Sequence, residues 1–159
     1  MQRRDLIPAL AAAICLPPIL QSETETSRPP DRLALQKTSE AIRAAFSAGD
    51  VFTAMRFHHP KVVKALAYKQ VLIGRDAVAQ NLDQTVRTFH LEFTRNDVDS
   101  LIVLRDTAVE LTLFAIKATS LDNGKSHLFS GRTMVVYVRY PASPTGWASI
   151  REIIQPATA

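Results

Sequence analysis

The sequence predicts an α+β fold, with three N-terminal helices packed on one face of a curved antiparallel sheet. Two observations carry that prediction. Between residues 32 and 86 the apolar residues recur at helical spacing in three separate segments, and from Thr88 onward the period changes to two and stays there. The later runs are then joined by strong reversals at Asp122-Asn123-Gly124 and across residues 140–147, where Pro141, Pro144 and Gly146 interrupt any strand.

The elements follow in chain order. Leu33, Leu35, Ala41, Ile42, Ala45 and Phe46 form the apolar stripe of a helix over residues 32–47, with Gln36, Lys37, Glu40 and Arg43 between them. Gly49 ends it and Asp50 caps a second helix over 51–57. That helix stops at His58-His59-Pro60, because the residue before a proline is pushed out of helical geometry. Residues 62–66 are apolar enough for a short strand, residues 68–73 extend it or form a loop, and Gly74 marks a turn. Asp76, Ala77, Val78, Asn81, Leu82 and Val86 give the third helix. Strands are expected from 88 toward 98, over 101–104 and over 107–119. The final hairpin pairs the run around 132–139 with 147–155, and Gly131 reads as a bulge that curves the sheet.

Length and composition set outer limits. At 159 residues and 47% hydrophobic content the chain is about one domain. Its formal charge is +4, but Lys and Arg are dispersed without a basic run, so nucleic acid is not an expected partner. Residues 1–22 read as a signal peptide: Arg3 and Arg4 precede a mostly apolar stretch from Leu6 to Leu20 that is too short and too interrupted by proline to span a bilayer stably. The paired arginines also suit a twin-arginine route, and cleavage after Ser22 would deliver the protein to the periplasm or outside the cell with no stable membrane span. Cys15, the only cysteine, is alternatively a lipoprotein acylation site, although Ile14 stands where a small residue is expected. Residues 23–31 read as a flexible tether and 32–155 as the domain.

The element order, Ala48-Gly49-Asp50, the His59-Pro60 step, Gly74-Arg75-Asp76-Ala77-Val78 and the last strand pair at Gly146-Trp147 together resemble the nuclear-transport-factor-2-like (NTF2-like) superfamily, nearest its SnoaL-like and ketosteroid-isomerase-like members. The resemblance implies a cone, also described as cystatin-like. The sheet would wrap around the helices and leave a pocket at the open end, with dimerisation through the sheet. It implies no single activity, since isomerases, cyclases, hydrolases and assembly modules share the fold. The isomerases carry a general-base aspartate in the strand after the second helix and an oxyanion-hole tyrosine on the first. The same counts fall near Ala67 or Tyr68 and near Ile42 here, where neither group is present.

Other residues are candidates for chemistry. His59, or His58 beside it, is either an acid–base group at the pocket mouth or a histidine bonded to helix-end carbonyls. Tyr68 and Tyr137 could donate hydrogen bonds from an apolar wall, Tyr137 being otherwise simply core. Registering the Asn123-Gly124 hairpin places Thr112 opposite Arg132 with Glu110 diagonal to it. Glu110 and Arg132, joined by Arg151, would then either meet a ligand or form an ion pair on the convex face. His90 and His127 lie on different strands with no recurring ligand spacing, so no metal is expected. No glycine loop for phosphate is present and no cofactor is implied. The expected function is an exported domain that binds a small, partly apolar ligand as a homodimer. The alternatives are an enzyme using a different acid–base set and a non-catalytic assembly module.

Overall fold

A computed structural model describes residues 29–68 and 70–157. Helix α1 is Pro29–Ala48, α2 Val51–Met55 and α3 Arg75–Thr88; the strands are β1 His58–Ala67, β2 Gln70–Ile73, β3 Phe89–Leu104, β4 Thr107–Ser120, β5 Ser126–Arg139 and β6 Trp147–Pro156. The expected signal peptide lies outside the described residues, as does most of the expected tether. The tether's last three residues, 29–31, are helical rather than loose. Asp31 fixes that first turn through an ion pair of 2.7 Å to Arg139, whose guanidinium stacks 4.2 Å from the centre of the Trp147 ring.

The three-helix, one-sheet architecture matches the expectation, but the sheet is mixed. Strand order is β2-β1-β6-β5-β4-β3, and β6 runs antiparallel to β5 yet parallel to β1. A simple meander would have left β6 at an edge. The expected strands at 88–98 and 101–104 are one 16-residue strand, β3, that bends at register shifts between Phe93 and Arg95 and between Val98 and Ser100. Such bulges let a long strand curve around the helices without breaking its ladder.

The turns follow the residue chemistry. Asp50 caps α2 by accepting from the Thr53 amide at 2.9 Å. Gly74 at φ 88° turns the chain into α3 while its amide donates to the Val62 carbonyl at 2.7 Å. Gly131 is not a bulge: β4 and β5 pair through it without a shift, and a Cβ there would collide with the backbone carbonyl of Gln155. The residue permits close approach of β6.

Among the described residues, two apolar clusters hold the layers together. Leu35, Val103, Ala108, Val135, Tyr137 and Trp147 close one end between α1 and the sheet. Ala45, Ala54, Met55, Val62, Val78 and Leu82 join all three helices to β1. Among the described residues no helix is long and apolar enough to cross a membrane.

Candidate functional site

Between the helices and the concave sheet face lies a chamber of about 120 Å³, roofed by Ser39, Ile42, Arg43 and Phe46 of α1. Register lays its floor out in transverse rows. Deepest are Tyr137, Ser149 and His58, neighbours on β5, β6 and β1, with exposures of 2%, 1% and 0%. The next row is Glu110, Val135, Glu152 and Lys64 across β4, β5, β6 and β1. Thr112, Thr133 and Ile154 form the third. Farther out, Phe114 and Phe129 pack against each other at 5.5 Å between ring centres. The chamber is thus polar in its inner rows and aromatic beyond them.

Glu110 is the best-connected acid. Its Oε1 accepts from Ser39 Oγ at 3.1 Å, Thr112 Oγ1 at 3.4 Å and the Tyr137 hydroxyl at 3.5 Å, while Arg43 Nη1 donates to Ser39 Oγ at 2.6 Å. Burial pushes its carboxyl above the usual range and outweighs these hydrogen bonds and the nearby Arg43 charge, which act in the opposite direction. Burial likewise raises the Tyr137 phenol, helped by the adjacent Glu110 charge, so this hydroxyl stays a proton donor at neutral pH. Ser39, Arg43 and Glu110 also border an outer groove between α1 and β3.

A second polar group faces the same space. Lys64 and Glu152 form a 2.6 Å ion pair with side-chain exposures of 6% and 16%. Thr133 Oγ1 donates to Glu152 at 3.4 Å, and Lys64 Nζ lies 5.3 Å from the centre of the Phe46 ring. The two glutamates are two strands apart in one row, so their backbones are separated by about 10 Å at normal strand spacing.

His58 Nδ1 sits 2.8 Å from the Ala54 carbonyl, an acceptor only, and therefore donates to it. The other ring nitrogen, Nε2, is left to accept. Burial first, and the Lys64 charge second, hold this imidazole well below its ordinary pKa, so it is neutral. Neither His58 Nε2 nor Ser149 Oγ has a partner. An orphan of this kind costs about 1–3 kcal/mol unless something fills the need.

The sequence-predicted residues separate. Glu110 is in the chamber, but its expected pairing with Arg132 does not form. Arg132 lies opposite Leu113 rather than Thr112, which turns it to the convex face, where it meets Asp99 at 3.3 Å. A one-residue difference in register reverses every side chain. Arg151 also points away, donating to the Lys61 and Ile150 carbonyls. Tyr68 is 98% exposed at the β1–β2 turn. His59 accepts from the Lys61 amide and packs edge-on to Tyr140, outside the chamber; its neighbour His58 is the one inside. Lys64 and Glu152 were missed because Lys and Glu are usually surface residues. Their place in the period-two pattern of each strand was the available signal.

Three helices packed in a six-stranded sheet bent around a polar-floored chamber define a cone-type α+β protein. Its fold is the NTF2-like one, as comparison with solved structures shows. A conserved protein from Planctomyces limnophilus superposes with TM-score 0.73 at 17% identity, over 82% of this chain and 100% of that one. A ketosteroid isomerase-like protein from Erwinia carotovora gives 0.69 at 12% identity, over 80% and 96%. An NTF2-like superfamily protein from Salmonella enterica serovar Typhimurium gives 0.66 at 17%, over 82% and 92%. No family model and no curated protein matches the sequence.

Proposed function

We propose that this protein binds a small, partly apolar ligand in the chamber, in an exported homodimer. One observation carries the binding reading: an apolar-walled chamber with unpartnered, fully buried polar atoms at its inner end. Ser143 Oγ and Trp147 Nε1, outside the chamber, are also buried without a partner, but His58 and Ser149 line a space that a ligand can occupy. The dimer reading is supported by the convex face, where Val71, Ala65, Ile153, Met134 and Leu111 form an unbroken apolar row across five strands. Val71, Ile153 and Met134 in that row are at least 40% exposed. The export reading rests on the composition of residues 1–22.

Native mass spectrometry of protein purified gently from its own host tests ligand, dimer and export together. We expect two subunits, each beginning near Glu23 and each carrying one reproducible small-molecule adduct. An intact Met1 would refute export, and a monomer would refute the dimer. Bare subunits that also take up no added apolar probe would refute binding.

One observation favours a second, catalytic reading. Glu110 has a raised pKa and lies beside a phenol that stays protonated, which is a proton acceptor next to a hydrogen-bond donor. On that reading Glu110→Gln abolishes turnover of the identified ligand while leaving the fold intact, and full activity in that variant rules it out.

A further inference from the structure

Resting on the ligand-binding reading above, we propose that His58 and Ser149 form a hydroxyl-recognition subsite at the deep end of the chamber, for the alcohol or phenol head of a one-ring ligand. The two residues are direct partners on the parallel pair β1 and β6, both line the chamber, and both keep an unmet polar atom. Their hydrogen-bonding capacities differ. The Nδ1–H of His58 is committed to the Ala54 carbonyl, so Nε2 offers only a lone pair. The Ser149 amide is committed to the Phe57 carbonyl at 2.9 Å, which fixes its backbone and leaves the hydroxyl free to donate.

One acceptor beside one donor is the complement of a hydroxyl group, which gives its hydrogen to the imidazole and takes one from the serine. A ketone or ether could satisfy Ser149 but would set its own lone pair against that of Nε2. A carboxylate would do the same, with Glu110 and Glu152 in the adjoining row. The size of the body follows from the space. A chamber of about 120 Å³ is close to the roughly 150 Å³ of an apolar cavity that takes up benzene. Ile42, Phe46 and Phe114 supply the walls for such a ring. Sites built to hydrogen-bond a hydroxyl discriminate against isosteres lacking it, because their own polar groups are then left unpaired.

The test uses two isosteric probes, p-cresol and p-xylene, titrated by NMR into the full domain, with Ser149→Ala and His58→Asn as variants. Asparagine keeps a donor for the Ala54 carbonyl and removes the Nε2 acceptor. We expect both probes to perturb chamber residues, with p-cresol bound at least about tenfold more tightly, the scale of one hydrogen bond that would otherwise go unmade. Either variant should bring that preference below about threefold, read as the ratio of the two affinities within the same variant, so that any change in chamber shape weighs on both probes alike. Equal affinity of the two probes in the wild type would overturn the subsite and leave chamber binding standing. Survival of the preference in both variants would overturn it as well. Binding of neither probe would overturn the chamber reading and this one with it.

Discussion

His58 makes the stability of the domain sensitive to acid. Its imidazole is held neutral in the fold, with a pKa well below the ordinary value, so the unfolded chain takes up a proton first as pH falls. The contribution is fully present above the unfolded-state pKa of about 6.5 and is lost as pH drops below it. Between pH 6.5 and 5.5 the loss is about 1 kcal/mol for a folded-state pKa below that window. At a urea m-value of about 1.5 kcal/mol/M, the unfolding midpoint moves down by roughly 0.7 M. Glu110 works in the opposite direction, because its raised carboxyl pKa means the folded state gains a proton first and is stabilised as pH falls toward the unfolded value. The useful quantity is therefore the difference between wild type and His58→Asn, in which Glu110 and the exposed groups cancel. Urea titrations at pH 7.5, 6.5 and 5.5 should show the variant losing about 1 kcal/mol less than wild type over the last interval. Parallel pH profiles would refute the buried neutral imidazole.

Other consequences are equally direct. Lys64→Met leaves Glu152 buried without its cation and should cost about 3 kcal/mol by urea unfolding, whereas Lys64→Met with Glu152→Leu should recover most of that loss. Arg132→Ala removes only an exposed pair with Asp99 and should change stability by less than about 1 kcal/mol while leaving ligand binding in the chamber untouched. Gly131→Ala drives a methyl group into the Gln155 carbonyl and should destabilise by about 2 kcal/mol, read as a lower thermal midpoint. Met134→Glu together with Ile153→Glu places charge in the convex apolar row and should convert a dimer to a monomer in sedimentation, with the far-ultraviolet circular dichroism spectrum unchanged.

Local rules carried the sequence reading a long way. The stripe of Leu35, Ala45 and Phe46, the cap at Asp50, the turn at Gly74 and the switch of period near Thr88 are written in neighbouring residues, and the three helices form where those residues direct. What depends on partners far along the chain was not legible. The pairing of β1 with β6 joins residues about 90 positions apart, and nothing in KVVKALA announces a parallel neighbour. Without that pairing Lys64 and Glu152 could not be seen to meet, and His58 could not be set beside Ser149. The Glu110–Arg132 pair failed for a smaller reason. The loop between β4 and β5 spans Leu121 to Lys125, and a count one residue off exchanged the concave face for the convex one. Glu110, singled out through that same register, still faces the chamber, because the alternation of β4 sets its face whichever residue lies opposite.

The position of β6 also governs how the molecule can be assembled. The last strand of the chain is the sheet's interior, bonded to β5 on one flank and to β1 on the other, so the two halves of the sheet are separate pieces until it inserts. A polypeptide emerging from the ribosome can complete its helices and the β3–β4–β5 ribbon early. It has no Lys64–Glu152 contact and no continuous chamber floor until residues 147–156 are free. Closing so long a loop is slow, and the open sheet edges of β1 and β5 are exposed to other chains during that interval. The chamber floor is therefore completed only when β6 inserts between β1 and β5.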